Sequence, residues 1–340
     1  MFTMNEKSVV LGFSGGIDSC ASARWLTERG YRVVAVTIDT MHDETMLREA
    51  QARAEELGIE WLADDAAELF QCEIVDYFTE SYRNGLTPAP CTRCNPKIKW
   101  RRLREVADRL GIHHIATGHY FRVVEHEGRR YVAKGADPTK DQSYYLWGLD
   151  QEILKRALTP MGEAIKSVVK AEVGNRSESM GICFLAGCHY TEFLERRGIE
   201  LRPGAVLDSE GRHIGNHNGI ARYTIGQRRG EGIPEGLRVV DIDAEANTIT
   251  VDKNEKLFKK RLYISDCNIV CNSELLTAGD ITIKIRGIGR NPERAVSVEP
   301  WNDGYVVVTD DAAWAPAKGQ PMVFYRGERV IGGGIVAGFE

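Results

Sequence analysis

The residues with the clearest chemical potential form one run near the amino end, Gly12-Phe13-Ser14-Gly15-Gly16-Ile17-Asp18-Ser19. The run follows apolar residues 9–11, which predict a buried strand, and precedes a helical pattern that ends near Gly30. Glycines at this junction permit a tight turn and a close approach of the backbone to a ligand. Such a turn aims backbone N–H groups at one point, where the helix start adds partial positive charge. The run therefore predicts a site for a phosphate or pyrophosphate group.

The type of phosphate loop follows from the residues at its end. A Walker loop needs a lysine after its last glycine, whereas Ile17 and Asp18 stand here, and the GxGxxG spacing is also missing. Residues 14–19 resemble the SGGxDS loop of the PP-loop ATP pyrophosphatases. That resemblance implies ATP binding and cleavage between the α- and β-phosphates, which leaves AMP on the substrate. Asp18 would help to position Mg²⁺ or the pyrophosphate, or would simply cap the helix.

Cysteines are the second set of candidates. Cys91 and Cys94 form a CxxC pair in a proline-bounded segment, which we expect to be an ordered loop just before a helix. Neighbouring basic residues and a helix start both favour the thiolate, the reactive form of cysteine. Cys183 ends a polar loop that begins at Ser177. A zinc site would need further ligands, and the sequence contains no second CxxC pair.

Composition limits the class of protein. The 340 residues predict two or three domains. A net charge of -5 does not indicate a nucleic-acid-binding protein, so any such function must rest on local basic patches. Neither a signal peptide nor a membrane-spanning apolar run is visible, which predicts a cytoplasmic protein without a membrane partner. In that compartment, the eight cysteines are not expected to form structural disulfides.

Strand and helix patterns alternate from about residue 7 to residue 120. This alternation predicts an α/β domain built on a doubly wound parallel sheet with helices on both faces. Ligands of such sheets bind at the carboxyl ends of the strands. We therefore expect the glycine-rich run, residues 37–39 and residues 117–119 to surround one crevice.

The chain becomes β-rich from about residue 196, and its final part resembles a small barrel. These features predict an ATP-binding catalytic domain over residues 1–195, a small β-rich domain over 196–261 and a C-terminal β-barrel over 262–340. Short β-type segments carry this prediction, at 205–207, 221–225, 237–242, 248–251, 281–286, 305–309 and 322–325, together with turns such as 332–334.

The chain as a whole resembles the bacterial tRNA-specific 2-thiouridylases, nearly from end to end. The matching segments are residues 12–19, 94–100 (CNPKIKW), 116–120 (ATGHY), 140–145 (KDQSYY), 181–184 (GICF), 223–229 (YTIGQRR) and 332–334. That family uses ATP to adenylate the C2 oxygen of the wobble uridine in certain tRNAs, and then replaces this oxygen with sulfur.

The resemblance implies roles for individual residues. Cys94 matches the nucleophilic cysteine of the family, and Cys183 matches the cysteine that carries a persulfide. Residues 12–19, Ile38 and Gly118 would bind ATP with Mg²⁺. The central domain would bind tRNA, and the implied tRNA contacts are Pro90, Lys140, Asp141, Gln142 and Arg286. The sulfur would come from a donor protein, such as a cysteine desulfurase or a sulfur relay protein, or from free sulfide.

This chemistry is reasonable in organic terms. The C2 carbonyl of a pyrimidine is a poor electrophile because oxide is a poor leaving group, whereas attached AMP leaves readily. A sulfur nucleophile can then attack C2, with Cys183 holding the sulfane sulfur and Cys94 resolving the persulfide or releasing hydrosulfide. The target base must leave the anticodon stack to reach such a site.

One departure from the family pattern concerns the CxxC segment. The usual Asn-Pro-Asp-x-x-Cys-Asn reads Ala89-Pro90-Cys91-Thr92-Arg93-Cys94-Asn95 here, so that a cysteine replaces the aspartate. If Cys91 is more than a spacer, Cys91, Cys94 and Cys183 together would hold a [4Fe–4S] cluster with one iron open to hydrosulfide. The two-cysteine persulfide route remains the alternative.

Two other functions compete with tRNA thiolation. An AMP-forming amide or C–N ligase for a small metabolite would carry the same ATP loop but would need no thiols. A tRNA-binding module without catalysis would need no intact ATP loop. Any tRNA affinity would depend on local basic clusters, namely Lys97, Lys99, Arg101, Arg102 and Arg104, with Arg228 and Arg229.

Overall fold

The structure is a computed structural model that describes residues 7–174, 181–277, 279–286 and 294–340. The helices are α1 (Ile17–Glu28), α2 (Glu44–Glu56), α3 (Ala67–Phe70), α4 (Tyr77–Arg83), α5 (Pro90–Cys94), α6 (Trp100–Leu110), α7 (Gln151–Arg156), α8 (Lys166–Val173), α9 (Tyr190–Arg196) and α10 (Asn272–Leu276). Single π-helical turns occupy Gln71–Asp76 and Asn95–Lys99, and 3₁₀ turns occupy Ser143–Leu146, Cys183–Leu185, Ile220–Arg222 and Asn254–Leu257.

The strands up to residue 158 are β1 (Ser8–Gly12), β2 (Arg32–Asp39), β3 (Glu60–Asp65), β4 (His114–Thr117), β5 (Phe121–His126), β6 (Arg129–Lys134) and β7 (Ala157–Leu158). The later strands are β8 (Gly204–Leu207), β9 (His213–His217), β10 (Arg238–Asp243), β11 (Thr248–Asp252), β12 (Phe258–Ile269), β13 (Ile281–Lys284), β14 (Ala295–Trp301), β15 (Gly304–Trp314), β16 (Pro321–Arg326) and β17 (Arg329–Phe339).

The first of two compact units contains described residues 7–74, 91–174 and 328–330. Its main sheet has the strand order β3-β2-β1-β4-β7, and all of the pairs are parallel. The register pairs Val10 with Val34 on one side and with Ile115 on the other. The central strand β1 is buried, which agrees with its apolar sequence.

Helices cover both faces of this sheet. On one face, Val9 and Leu11 share a hydrophobic cluster with Ala23 of α1 and Ala50 of α2. On the other face, the buried Leu103 of α6 lies against the end of β1. The prediction of a doubly wound α/β domain is thereby confirmed.

The second compact unit contains described residues 75–90, 181–277, 279–286, 294–327 and 331–340. One sheet has the order β10-β11-β8-β9, and its core includes Val206, Val239 and Ile249. A larger sheet has the order β13-β16-β17-β12-β15-β14, with antiparallel pairs such as β12 with β15. The β-rich character predicted for this part of the chain is confirmed.

Two local predictions in the β-rich part are wrong. Residues 221–225 do not form a strand, because a 3₁₀ turn over Ile220–Arg222 begins there and buries Ile220 and Ala221. Residues 332–334 do not form a turn but lie within β17, where Gly333 pairs with Asn268 of β12. Glycine is rare within strands, so the three consecutive glycines at 332–334 favoured the prediction of a turn.

Among the helices of the described residues, none combines the length and the apolar character that crossing a bilayer requires.

Candidate active site

The glycine-rich run lies between β1 and α1, at the carboxyl end of the central strand. The Phe13 amide donates to the Val36 carbonyl oxygen (2.8 Å), and the Thr37 hydroxyl donates to the Phe13 carbonyl oxygen (2.7 Å). These bonds hold the start of the turn against β2. The Cys20 amide donates to the Gly16 carbonyl oxygen (3.0 Å) as the first helical bond. The preceding amides therefore lack partners within α1 and are directed toward the turn.

One glycine within the turn and one in the neighbouring loop allow the backbone to pack closely here. Gly15 has a φ of +72°, and a Cβ atom there would lie 3.2 Å from the Cα of Ala50. A larger residue at Gly15 would therefore strain the backbone as well as the turn. Gly118 follows β4, and its Cβ atom would lie 3.1 Å from the Ser19 backbone nitrogen. The loop after β4 consequently packs directly against the start of α1.

A cleft of about 270 Å³ opens at the carboxyl ends of β1, β2 and β4. This position is the crevice that the strand alternation predicts. Seven of the ten residues predicted to bind ATP line the cleft, namely Gly12, Phe13, Ser14, Asp18, Ser19, Ile38 and Gly118. Thr37, Thr117 and His119 also line the cleft, as expected for the segments 37–39 and 117–119. The remaining lining residues were not predicted, namely Val36, Met46, Lys99, Leu103 and Gln142.

The other three predicted ATP residues have different surroundings. Gly15 and Gly16 form the turn itself and are not among the lining residues. The Ile17 side chain is buried in a hydrophobic cluster with Ala21 and Met161. A direct contact between this side chain and ATP is therefore not supported, although its backbone amide belongs to the helix start.

Asp18 is held by two residues that sequence analysis did not assign. The Lys166 ammonium lies 2.7 and 2.8 Å from the two carboxylate oxygens, and the Tyr120 hydroxyl donates to one of them (2.8 Å). Lys166 is only 5% exposed. The helix-cap alternative for Asp18 is wrong, because Gly16 is the N-cap residue and no side chain caps α1.

His119 contributes a neutral ring to the cleft. Burial, together with the charge of Lys99, lowers the pKa of His119 to about 3. Its Nδ1 atom lies 2.7 Å from the Thr117 hydroxyl oxygen. At neutral pH the imidazole is therefore uncharged and offers hydrogen bonds rather than a positive charge to a ligand.

The CxxC pair lies on a helix, so the predicted ordered loop is wrong. Pro90 and Cys91 begin α5, Cys94 ends it, and the helical path continues through the π turn into α6. Proline is well suited to the first position of a helix, which explains why the proline-bounded segment is helical rather than irregular. The Cys91 side chain is exposed, whereas Cys94 is buried.

Side chains within the first unit hold this helical segment on two sides. Arg93 donates to the Glu73 carbonyl oxygen (2.8 Å) and pairs with the Glu73 carboxylate (2.7 Å). The Asn95 amide nitrogen donates to the carbonyl oxygens of Cys91 (3.1 Å) and Tyr145 (3.0 Å). Burial and the proximity of Cys91 raise the pKa of Tyr145. The hydrogen bonds of Arg93 and Asn95 therefore fix the backbone that carries the two cysteines.

Cys183 belongs to the second compact unit. It is exposed and begins a 3₁₀ turn. The next residue, Phe184, is buried and packs edge-on against Phe78, with ring centroids 5.1 Å apart. The thiol is therefore accessible, and the neighbouring aromatic ring fixes the backbone beside it. Residues 177–180 of the polar loop before it lie outside the described residues.

A metal centre requires several ligating side chains close together. Within the described part of the chain, no group of three or more His, Cys, Asp or Glu side chains is arranged to hold a metal ion. The structure therefore gives no support to the cluster predicted on Cys91, Cys94 and Cys183, which remains a prediction.

The residues predicted to contact tRNA differ in burial and in hydrogen bonding. Asp141 accepts hydrogen bonds from the amides of Gly135 and Ser143 (both 3.1 Å), and Gln142 binds the Tyr120 amide (2.9 Å). These bonds hold the segment over residues 140–142 against Tyr120 and Gly135. Lys140 is half-buried, and Pro90 is buried at the start of α5.

Arg286 follows β13 in the second unit. Its guanidinium carbon lies 5.4 Å from the centroid of the Trp314 ring, and the guanidinium donates to the Ala315 carbonyl oxygen. This packing fixes the direction of the arginine.

The basic helix α6 is largely neutralised by carboxylates. Arg101 pairs with Glu105, and Arg104 pairs with Asp150. Arg102 makes two bonds to the buried Asp64 carboxylate, at 2.8 and 2.9 Å. Lys97 and Lys99 are exposed, and no ion pair of either is found in the described part of the chain. The cationic surface near this helix is therefore smaller than the sequence suggested.

This pairing gives Arg102 a structural role. We expect Arg102→Met to lower the free energy of unfolding by about 2 kcal/mol, because it removes two charged hydrogen bonds from a buried carboxylate. Arg101→Met is the control, and its exposed ion pair should contribute less than about 1 kcal/mol. Urea denaturation measures both variants, and equal losses would contradict the structural role of Arg102.

Comparisons with known proteins agree with this architecture. The model of the tRNA methyl transferase HUP domain matches residues 7–187. The tRNA methyl transferase PRC-barrel domain matches residues 191–253, and the aminomethyltransferase beta-barrel domain matches residues 259–336.

Individual relatives are similar over nearly their full length. The protein named tRNA-specific 2-thiouridylase MnmA 1 from Bacteroides fragilis is 38% identical over 97% of this chain and 97% of its own. A tRNA-specific 2-thiouridylase MnmA from Carboxydothermus hydrogenoformans is 37% identical over 99% of both chains. One from Clostridium perfringens is 34% identical over 98% of this chain and 99% of its own. The chain therefore belongs to the tRNA-specific 2-thiouridylase family.

Proposed function

We propose that this protein is a tRNA-uridine 2-sulfurtransferase that acts on the wobble uridine. ATP adenylates the C2 oxygen, pyrophosphate leaves, and sulfur then displaces AMP from C2. The observation that carries the proposal is the cleft formed by the SGGxDS turn at the carboxyl ends of parallel strands, in a chain that belongs to this family throughout its length.

The cleft has the chemistry that an adenine nucleotide requires. Its lining combines apolar Ile38, Met46 and Leu103 with the hydroxyls of Ser14 and Ser19. Gly118 leaves room that a Cβ atom would fill. We assign the apolar side chains to the base and the turn over residues 12–19 to the phosphates.

Charged groups complete the nucleotide site. Lys99 lines the cleft and supplies a cation for the phosphates. Asp18 supplies a carboxylate to the same cleft. When bound with ATP, Mg²⁺ would neutralise phosphate charge, and Asp18 would hold it.

The sulfur step is assigned to the two cysteines that match the family. Cys183 accepts a sulfane sulfur, which its exposure permits. Cys94 is the last residue of α5 and is buried, and its assignment as the nucleophile rests on its match to the family. In one route, the Cys94 thiolate attacks the Cys183 sulfur of the persulfide and releases hydrosulfide, which attacks C2. In the other route, the persulfide itself attacks C2, and the Cys94 thiolate then attacks the Cys183 sulfur and frees the 2-thiouridine. In either case a disulfide forms, and an external thiol must reduce it.

A [4Fe–4S] cluster on Cys91, Cys94 and Cys183 is the alternative sulfur mechanism. The observation that favours it is Cys91, an exposed cysteine three residues before Cys94 on the same helical segment. Anaerobic reconstitution with iron and sulfide should then give visible absorption that Cys91→Ala removes. A colourless, iron-free protein that thiolates tRNA from a persulfide donor would contradict the cluster.

Substrate binding involves the remaining parts of the chain. We assign tRNA contacts to Pro90, the segment over residues 140–142 and Arg286. Residues 1–195, 196–261 and 262–340 form the catalytic, central tRNA-binding and C-terminal β-barrel domains, a division supported by family matches with boundaries near 190 and 256. A cysteine desulfurase or a sulfur relay protein supplies the sulfane sulfur of the persulfide route in the cytoplasm. Free sulfide cannot form a persulfide without an oxidant, so it would serve only as a hydrosulfide nucleophile, as in the cluster route.

The proposal is tested by incubating unmodified tRNA with the protein, ATP, Mg²⁺ and a persulfide or sulfide donor. Mass spectrometry of the digested nucleosides should detect 2-thiouridine only when ATP is present. An AMP-forming ligase acting on a small metabolite would instead leave the tRNA unchanged, and this result would overturn the proposal.

A further inference from the structure

The strongest feature outside the assigned site is a buried cation behind the phosphate turn. Lys166 is the first residue of α8 and is only 5% exposed. Its ammonium contacts both oxygens of the Asp18 carboxylate, at 2.7 and 2.8 Å. Asp18 lines the cleft, whereas Lys166 does not. The Asp18 carboxylate therefore lies between the buried lysine and the cleft.

The backbone around Lys166 is anchored firmly. The Lys166 amide donates to the buried Asp137 carboxylate (3.0 Å), and the Thr139 hydroxyl together with this amide lowers the pKa of Asp137. Val169 of α8 shares a hydrophobic cluster with Ile17 of α1 and with Tyr120. The start of α8 is thus fixed relative to the phosphate turn, and the lysine has little freedom to leave Asp18.

Stability alone does not account for this arrangement. The Lys166 side chain is buried and the Asp18 side chain is 33% exposed, so the pair loses much of its hydration and gains little over an apolar pair of similar size. Its position does matter to an anionic ligand, since an unpaired carboxylate in the wall of a phosphate cleft would repel the polyphosphate of ATP. Tyr120 donates a further bond to Asp18 (2.8 Å), so that the carboxylate is also fixed in direction.

We propose that Lys166 is a positioning residue for ATP: it neutralises Asp18 and aims this carboxylate at the metal-bound phosphates. The inference rests on the proposed function, because it takes ATP as the ligand of the cleft. It assigns no covalent role to Lys166. The lysine acts through Asp18 and does not itself touch the nucleotide.

The test measures ATP affinity by calorimetry with and without Mg²⁺, on variants whose folding is checked by circular dichroism. Lys166→Met leaves Asp18 charged, with only the Tyr120 hydroxyl bonded to it, and we expect it to weaken binding of Mg²⁺-free ATP at least tenfold. Lys170→Met, one turn later on α8, is the matched control and should bind ATP like the wild type. Wild-type affinity of a folded Lys166→Met variant would overturn the proposal.

A double variant separates two ways in which Lys166 could act. Asp18→Asn combined with Lys166→Met removes both charges, so it should bind Mg²⁺-free ATP nearly as well as the wild type. If the double variant stays as weak as Lys166→Met, the lysine contacts the phosphates directly and the proposal is wrong. Asp18→Asn alone should lose the gain in affinity that Mg²⁺ provides, and retention of this gain would contradict the role of Asp18.

These outcomes are independent of the tRNA reaction. Failure to form 2-thiouridine with normal ATP binding would overturn the proposed function and leave the role of Lys166 intact. If Lys166→Met instead binds ATP normally while the wild type thiolates tRNA, the proposed role of Lys166 is overturned and the proposed function is not.

Discussion

Replacing either Cys94 or Cys183 with serine is expected to lower the rate of 2-thiouridine formation by about a thousandfold or more. Serine has nearly the same size as cysteine, but its hydroxyl cannot carry a sulfane sulfur or attack a persulfide. Binding of tRNA and ATP should remain within about twofold of wild type, because neither thiol is assigned to binding. Quantitative nucleoside mass spectrometry after a fixed incubation measures the rate.

Two cysteines of the β-rich unit provide matched controls. Burial, together with Asp266 and Asp303, raises the pKa of Cys267 to about 12, so that its thiol stays protonated at neutral pH. The Cys271 sulfur lies 3.2 Å from the Ser273 hydroxyl oxygen. Cys267→Ser and Cys271→Ser should keep near-normal rates. Near-normal turnover of the Cys94 or Cys183 variant would show that the cysteine roles are assigned incorrectly.

Gly118→Val should weaken ATP binding at least about tenfold, equivalent to about 1.4 kcal/mol or more. Its Cβ atom would lie 3.1 Å from backbone atoms of Asp18 and Ser19, so the phosphate turn must move to accommodate it. The φ of Gly118 is not in the left-handed region, which makes this position a cleaner test than Gly15. Calorimetry with ATP measures the affinity.

Gly215→Ala is the control for Gly118→Val. Gly215 also avoids the left-handed region, and its Cβ atom would meet the Gly232 carbonyl oxygen at an ordinary 3.5 Å. This variant should bind ATP with unchanged affinity and melt at nearly the wild-type temperature. If folded Gly118→Val binds ATP as tightly as the control, the nucleotide does not occupy the turn beside Gly118.

Local sequence patterns were sufficient to predict the nucleotide-binding half of the fold. The alternation of strand and helix patterns predicted a parallel sheet, and the nearly continuous apolar sequence of β2 (Arg32–Asp39) agrees with it, because a strand buried on both faces needs little polar alternation. The SGGxDS run predicted a turn between strand and helix. Since the strands are parallel, their carboxyl ends meet at one edge, and this placed Ile38 and Gly118 at the cleft correctly.

Interactions between distant parts of the chain could not be predicted in this way. Lys166 is 148 residues from Asp18, and nothing in its local pattern distinguishes it from a surface lysine on a short helix. The Arg102 pair with Asp64 joins residues 38 apart and converts an apparently cationic helix face into a paired one. Such pairs depend on tertiary packing, which hydrophobic periodicity does not encode.

The central claim is that the C2 oxygen of the uridine is transferred to AMP as sulfur replaces it. A tRNA anticodon stem-loop that carries ¹⁸O at C2 of the wobble uridine tests this claim directly. Adenylation predicts equal amounts of 2-thiouridine, AMP and pyrophosphate, with one ¹⁸O atom in each AMP, because the C2–O bond breaks and the O–P bond remains. Formation of ADP and phosphate, or 2-thiouridine accompanied by unlabelled AMP, would contradict the account.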